Sequence, residues 1–460
     1  MSNIQSDSET ETGSTQQQSI LRQVWWIAWP VVIASLLDAA EGMIDIYMVG
    51  KIGPEAISGV GMSRQIVFVM MVVMMSITAG SRTLIAQFYG AGQLDDLSRT
   101  AQQSITLAFL FSLFLGAFGV LISEQLLSLL GARGDVLSYA TPYLRLYFGG
   151  CVFLVLNFVI GSIFGGMGDT RTPLKISIVI IILKVFTTYG LLFGAWGLPE
   201  MGISGAAMGT IVSRSVGVVL GIYFLTQGYT RVRIKWPWRL NLDWDIIRKV
   251  MAIGIPSGIT GFFRNGARVL LYRVAAMTSN PTASIASLTI GFQVRLVTIM
   301  PALAFSVAAT ALVGQRLGAR EIPAAERYGV DTIRLCMIVI SGIGVCALIF
   351  ASEIVSAFTD APAVIESGYK MLWFFTFAQF FSSLSIVAGG VMAGGGETRP
   401  PLYYTMVGQW AIMLPVSYIL TFTSGLDVTG IWIAWFLGGF TQGILTYRRY
   451  LKGFWKVSLI

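Results

Sequence analysis

Gly168-Asp169-Thr170-Arg171-Thr172-Pro173-Leu174 returns downstream as Gly396-Glu397-Thr398-Arg399-Pro400-Pro401-Leu402, an offset of 397 − 169 = 228 residues. Gln87, Gly90, Ala91 and Arg99 return at the same offset as Gln315, Gly318, Ala319 and Arg327. Two motifs sharing one offset mark the chain as an internal duplication. Around them lie apolar runs, each long enough to cross a bilayer, at roughly 24–50, 57–89, 101–123, 139–166, 173–196 and 203–227. A second six follow at roughly 248–277, 283–315, 328–350, 368–394, 401–424 and 428–450. An even number of spans per copy brings both copies in from the same side, so the repeats are parallel, related by an axis near the membrane normal. The expected fold is an all-α polytopic membrane protein of about twelve transmembrane helices in two pseudo-symmetric six-helix lobes, with a cleft between them.

Composition supports this reading. Of 460 residues, 55% are hydrophobic and 12% charged, against about 25% charged in soluble domains, and the mean hydropathy is +0.73. Fifty-one glycines and 19 methionines suit closely packed, adaptable helices. There is no histidine, which excludes histidine acid/base chemistry, histidine metal ligands and the usual catalytic triads. Without an HExxH or other nucleophile motif, no enzyme is expected. Cys151, Cys336 and Cys346 have no CxxC spacing and read as small buried hydrophobes.

Four segments follow: 1–20, a polar Ser/Gln-rich tail expected to be disordered, without the basic start of a signal peptide; 21–227, the N-terminal lobe; 228–247, a basic linker with Arg231, Arg233, Lys235 and Arg239; and 248–460, the C-terminal lobe. Connections on one side carry Arg99, Arg171, Lys175, the linker, Arg316, Arg320, Arg327, Arg399 and the tail Arg448, Arg449, Lys452 and Lys456. The other side has little beyond Lys51, Arg133 and Lys370. The positive-inside rule then puts both termini in the cytoplasm of a multi-pass inner (plasma) membrane protein. Much of the net +8 charge therefore faces cytosol and anionic headgroups, and no nucleic-acid partner is expected.

The first span holds Asp38, Glu41 and Asp45. Spacings of three and four place these acids on one face, within an arc of about 60° and about 10 Å of helix. A carboxylate at mid-bilayer costs on the order of 2.5 kcal/mol or more, so the stripe must face a wet cavity, hold protons or cations, or pair with bases. Arg64, Arg82, Lys184 and Arg214 are the intramembrane candidates for pairing. The seventh span has the opposite sign: Arg264 and Arg268 share a face, with Arg273 nearer the end and Arg295 in the eighth span. Aligning Pro30 with Pro256 sets Asp38 against Arg264, Gly42 against Arg268 and Asp45 against Leu271. These arginines are candidates either for salt bridges to the first-span acids or for a substrate cavity. Met70 to Met75 and the aromatics between Trp373 and Phe381 read as packing or lipid contact, and Pro301 and Pro415 as kinks.

The chain resembles the multidrug and toxic compound extrusion (MATE) family. The resemblance runs from about Leu21 to the C-terminal tail and is carried by Pro30 with Asp45, Gly50-Lys51-Ile52-Gly53-Pro54-Glu55, Gln87-Phe88-Tyr89-Gly90-Ala91 and the paired Gly-Asp/Glu-Thr-Arg-x-Pro motifs. It implies a central cavity that opens alternately to cytosol and exterior, and export of a small molecule against inward protons or sodium, with no cofactor beyond that gradient. It carries the family's essential first-helix aspartate onto Asp45 and a nearby polar position onto Thr210. Where the proton-coupled branch has Asn and Asp four apart in the fifth helix, this chain has Lys184 and Thr188. Where the sodium-coupled branch has acids in the second lobe, it has Arg264 and Ser382. Coupling is therefore expected at Asp45, Glu41 and Asp38, supported by Lys184 and Thr210, with Arg264, Arg268 and Arg295 toward the substrate. An anionic or zwitterionic cargo, or a lipid-linked oligosaccharide flippase of the same superfamily, is the alternative; a monomer is expected, its partners being substrate, coupling ion and bilayer.

Overall fold

A computed structural model describes residues 2–228, 242–357 and 362–460. Arg231, Arg233, Lys235 and Arg239 of the basic linker lie outside the described residues. The described residues form helices and no strands. The first repeat is α1 (Ser2–Gly50), α2 (Pro54–Gly90), α3 (Leu94–Leu129), α4 (Gly134–Gly149), α5 (Cys151–Gly166), α6 (Arg171–Phe193) and α7 (Ile203–Thr226). The second is α8 (Trp244–Ala275), α9 (Pro281–Gly318), α10 (Ile322–Ile349), the short α11 (Ala351–Ser356), α12 (Pro362–Gly394), α13 (Arg399–Thr405), α14 (Leu414–Phe422) and α15 (Asp427–Leu451). Among the described residues eleven helices are long and apolar enough to cross a membrane, and the bent pair α4/α5 makes a twelfth span.

Three local features depart from expectation. First, α1 runs from Ser2, so the tail expected to be disordered is helical, and the apolar span itself starts at Gln18. Extending an existing helix needs no new nucleus, and a polar tail can therefore follow it. Second, the span expected at 139–166 is broken by 48° between α4 and α5. The break falls at Gly149-Gly150, a glycine pair of the kind that permits kinks, and a Cβ on Gly150 would come within 2.2 Å of Ile211 on α7. Third, a π-helical turn, Met406–Met413, joins α13 to α14. Pro415 supplies no N–H, and Leu414 N–H reaches back five residues to Gln409 O. Cys151 and Cys336 are buried, whereas Cys346 is exposed on α10.

The repeated motifs have a common backbone cause. Gly168 (φ 81°) and Gly396 (φ 78°) are left-handed residues ending α5 and α12, with Asp169 N–H donating to Phe164 O at 3.0 Å and Glu397 N–H to Met392 O at 2.9 Å. This helix ending favours glycine because it has no Cβ to clash. The following acid then diverges. Asp169 Oδ1 accepts from the N–H groups of Arg171 and Thr172 and so caps α6. In the second copy Pro400 has no N–H to give, and Glu397 Oε1 accepts from Arg449 Nε at 2.7 Å.

The chain forms two compact units, Pro30–Gly258 and Met1–Trp29 with Ile259–Ile460. They are here called the acidic and the basic unit, after the charges that α1 and α8 give them. The divisions fall inside α1 and α8 beside Pro30 and Pro256, rather than at the linker between the sequence halves, because the leading part of each helix packs with the other repeat. Ile20, Val24 and Ala28 of α1 belong to the core of Ala302, Phe305, Ala309 and Val391 in the basic unit. In the acidic unit, a Cβ on Gly254 of α8 would lie 1.9 Å from Ser76 O, and one on Gly80 of α2 would lie 2.0 Å from Val250 O. Glycine is thus what lets these two backbones touch.

Candidate functional site

The acidic unit gathers the first-span carboxylates with bases from two other helices. Lys184 Nζ donates to Glu41 Oε1 at 2.7 Å and to Asp45 Oδ2 at 2.8 Å. Arg214 Nη2 donates to Glu41 Oε2 at 2.6 Å and to Asp38 Oδ1 at 3.0 Å. Glu41 is the hub, with one oxygen on each base. The bases reach it because α6 and α7 pack against each other on glycine: a Cβ on Gly205 would meet Leu191 O at 2.6 Å, and one on Gly209 would meet Thr188 Oγ1 at 2.3 Å. Arg64 of α2 donates to the Gly42 carbonyl at 3.3 Å, and a Cβ on Gly42 would sit 2.2 Å from its Nη2. Three carboxylates thus stand with three bases, Lys184, Arg214 and Arg64. Buried charge in a bilayer is tolerable only when compensated in this way.

The network is compensated yet not sealed. Asp38, Glu41, Asp45, Arg64, Lys184 and Arg214 line a cavity of about 300 Å³, together with Tyr143, Tyr147, Thr210 and Phe158. That volume holds several waters. The Asp38 side chain is 40% exposed, against 8% for Asp45. Asp45 Oδ1 is buried with no hydrogen-bond partner, an exception among buried polar atoms. Arg214 also lies over the Phe158 ring, 5.5 Å from its centre. Thr210 Oγ1 donates to Ala206 O at 3.0 Å. Arg82 takes no part, and its Nε is buried without a partner.

The basic unit holds the remaining expected residues. Arg268 lies over Phe292 at 5.4 Å and Arg295 over Trp435 at 5.2 Å, while Arg295 Nε donates to Gln379 Oε1 at 3.3 Å. Phe375 stacks on Trp435 with centroids 4.9 Å apart, and Phe292 meets the same indole edge-on at 5.1 Å. Among the described residues of the basic unit no carboxylate is paired with Arg264, Arg268 or Arg295. The first-span acids are engaged by Lys184 and Arg214, bases of their own unit. A cavity of about 20 Å³ beside Arg295 and Gln379 has room for one water.

The MatE family model matches residues 30–189 and 256–419, a segment in each copy of the repeat and more than half the chain. The chain belongs to the MATE family. Over 446 residues it is 28% identical to the probable multidrug resistance protein NorM of Thermotoga maritima, covering 95% of this chain and 93% of that one. Its fold matches an outward-facing multidrug resistance MATE family transporter of the MOP superfamily, with TM-score 0.87 and 19% identity over 94% of this chain and 96% of the other. It also matches a MOP superfamily transporter from Pyrococcus furiosus, described as having a binding pocket of reversed polarity that suggests a different function, with TM-score 0.86 and 19% identity over the same shares. This MATE chain is a transporter of the multidrug efflux type and not an enzyme.

Of the residues singled out in this MATE sequence, Asp38, Glu41, Asp45, Lys184 and Thr210 come together around one cavity. Arg264, Arg268 and Arg295 lie in the other unit. Sequence reasoning missed Tyr143 and Tyr147 on α4. Their spacing of four residues puts them on one face, a usable signal, but aromatic pairs at that spacing are common in apolar spans.

Proposed function

We propose that this MATE transporter exports small organic molecules by alternating access, driven by protons moving inward, with Asp45, Glu41 and Asp38 as the coupling acids and Lys184 and Thr210 supporting them. The observation that carries the reading is the orphaned Oδ1 of Asp45 beside a cavity with room for several waters, while its other oxygen holds Lys184. A proton has a free oxygen to bind. Once neutral, Asp45 no longer attracts the ammonium, and one of the ties between α1 and α6 is weakened. Proton binding thereby acquires different affinities in two arrangements of α1, which is what coupling requires.

Protons are favoured over sodium because the position a metal cation would take between Glu41 and Asp45 is filled by the Lys184 ammonium. Basic residues at one set of connections support a plasma-membrane orientation with both termini in the cytoplasm, and the transporter is taken to act as a monomer. The test is substrate export from proteoliposomes under imposed proton or sodium gradients. The proton gradient should drive transport, and Asp45→Asn should abolish the drive while remaining folded. Undiminished transport by Asp45→Asn, or drive by sodium alone, eliminates the mechanism.

A further inference from the structure

We propose that the basic unit contains an oxyanion site formed by Arg264, Arg268 and Arg295, and that its ligand is an organic carboxylate or phosphate carried on an apolar or aromatic body. The inference rests on the efflux reading and names the class of cargo.

Arg264 and Arg268 stand one turn apart on α8, and the rings beneath Arg268 and Arg295 touch, with the Phe292 and Trp435 centroids 5.1 Å apart. Arginine stays protonated at any pH a cell meets, so these three cannot relieve their repulsion by losing protons. In the acidic unit each of the stripe's carboxylates has a base; among the described residues of the basic unit, these three cations have no acid. Buried Arg264 Nε lacks any hydrogen-bond partner. This is an unfilled demand for negative charge inside the bilayer.

The surrounding side chains hold two of the guanidinium groups in readiness for a planar anion. A guanidinium lying over an aromatic ring satisfies its face and leaves N–H groups along its edge, the geometry that meets carboxylate or phosphate with paired hydrogen bonds. Arg268 rests on Phe292 and Arg295 on Trp435, and both rings join Phe375 in one aromatic cluster. Gln379 fixes Arg295 Nε and is itself held through its Nε2 by Ser383 Oγ at 3.0 Å. The one-water cavity beside Arg295 is too small for such a ligand. Arg268 and Arg295 are partly buried rather than sealed, and the anion meets the open part of their guanidinium edges, with its apolar body against the aromatic cluster. A quaternary ammonium could use the same rings, but three neighbouring cations would repel it.

The test is titration of the purified transporter in uncharged detergent, followed by calorimetry and by tryptophan fluorescence. The probes are phenyl phosphate, benzoate, benzyltrimethylammonium and a short-chain phosphatidic acid. Phenyl phosphate and benzoate should bind, and Arg295→Gln or Arg268→Gln should weaken them about tenfold, as expected for loss of one charge-assisted hydrogen bond. Arg268→Lys keeps the charge and should lose less than Arg268→Gln. Binding of phosphatidic acid without phenyl phosphate would keep the site and identify its ligand as a lipid headgroup. The titration imposes no ion gradient, so failure of proton coupling, read in proteoliposomes, and failure of the anion site, read by calorimetry, are separate results. Equal affinity for benzyltrimethylammonium, or anion binding untouched by either glutamine substitution, would overturn the proposal.

Discussion

Lys184 reaches back 139 residues along the chain to place its ammonium 2.8 Å from Asp45. The same nitrogen lies 2.7 Å from Glu41, so a tethered cation occupies the gap between two buried carboxylates. Lys184→Met would leave both acids in place and empty that gap. Removing one partner of a buried pair costs about 3–5 kcal/mol, and a mobile cation able to enter would recover part of it by binding the folded state. Sodium should therefore raise the unfolding temperature of Lys184→Met above its value in choline chloride, and should leave the parent unchanged. If sodium affects the two proteins equally, Lys184 is not filling a cation site.

The three acids should differ in weight. Glu41 accepts from both Lys184 and Arg214, and Glu41→Gln would disturb both bridges, at about 3–5 kcal/mol. Asp38 holds only Arg214, through one oxygen at 3.0 Å, and its side chain is 40% exposed. Asp38→Asn should cost no more than about 1 kcal/mol and keep most gradient-driven export. Thermal unfolding in detergent together with proteoliposome transport checks both. Equal damage from the two substitutions would contradict the hub role of Glu41.

What could be read from sequence divides along the distance between interacting residues. The spacing of Asp38, Glu41 and Asp45 gives a shared face because helical geometry is local. The duplication was legible because a left-handed glycine recurs at each α5-like and α12-like ending. Lys184 and Arg214 could be named as possible partners, but Arg82 could be named equally well. Choosing among them requires knowing that α6 and α7 meet α1, across separations of 139 and 173 residues. The break at Gly149-Gly150 and the division of α1 at Pro30 depend in the same way on which helix packs alongside. Pro30 signals a bend, yet nothing local says that Val24 and Ala28 belong to the core of the other repeat.

Glycine on the α2/α8 contact should be irreplaceable where glycine elsewhere is not. A Cβ at Gly254 or Gly80 would meet a backbone carbonyl oxygen at 1.9 or 2.0 Å, which no side-chain rotation can relieve. Around Gly61 and Gly342 a Cβ would meet nothing within 4 Å. Alanine at an open helical position gains up to about 1 kcal/mol of helix propensity. Gly254→Ala and Gly80→Ala should thus lower the unfolding temperature, whereas Gly61→Ala and Gly342→Ala should hold or raise it. The idea fails if all four behave alike.

Arg320 offers the converse case, a site where glycine is missing. In the first repeat α2 ends at left-handed Gly92 (φ 72°), with Gln93 N–H donating to Phe88 O at 3.0 Å. The second repeat ends α9 in the same way, with Glu321 N–H donating to Arg316 O at 2.9 Å, but the left-handed residue is Arg320 (φ 62°). An L side chain in that conformation costs about 1–2 kcal/mol, part of which glycine would lose again through its freer unfolded chain. Arg320→Gly should therefore stabilise the protein by up to about 1 kcal/mol. Arg320→Val should destabilise it by more than that, because a β-branched side chain crowds this backbone hardest. Thermal unfolding of the two variants decides the matter, and a valine variant as stable as the glycine one would show that the backbone at 320 is not under this constraint.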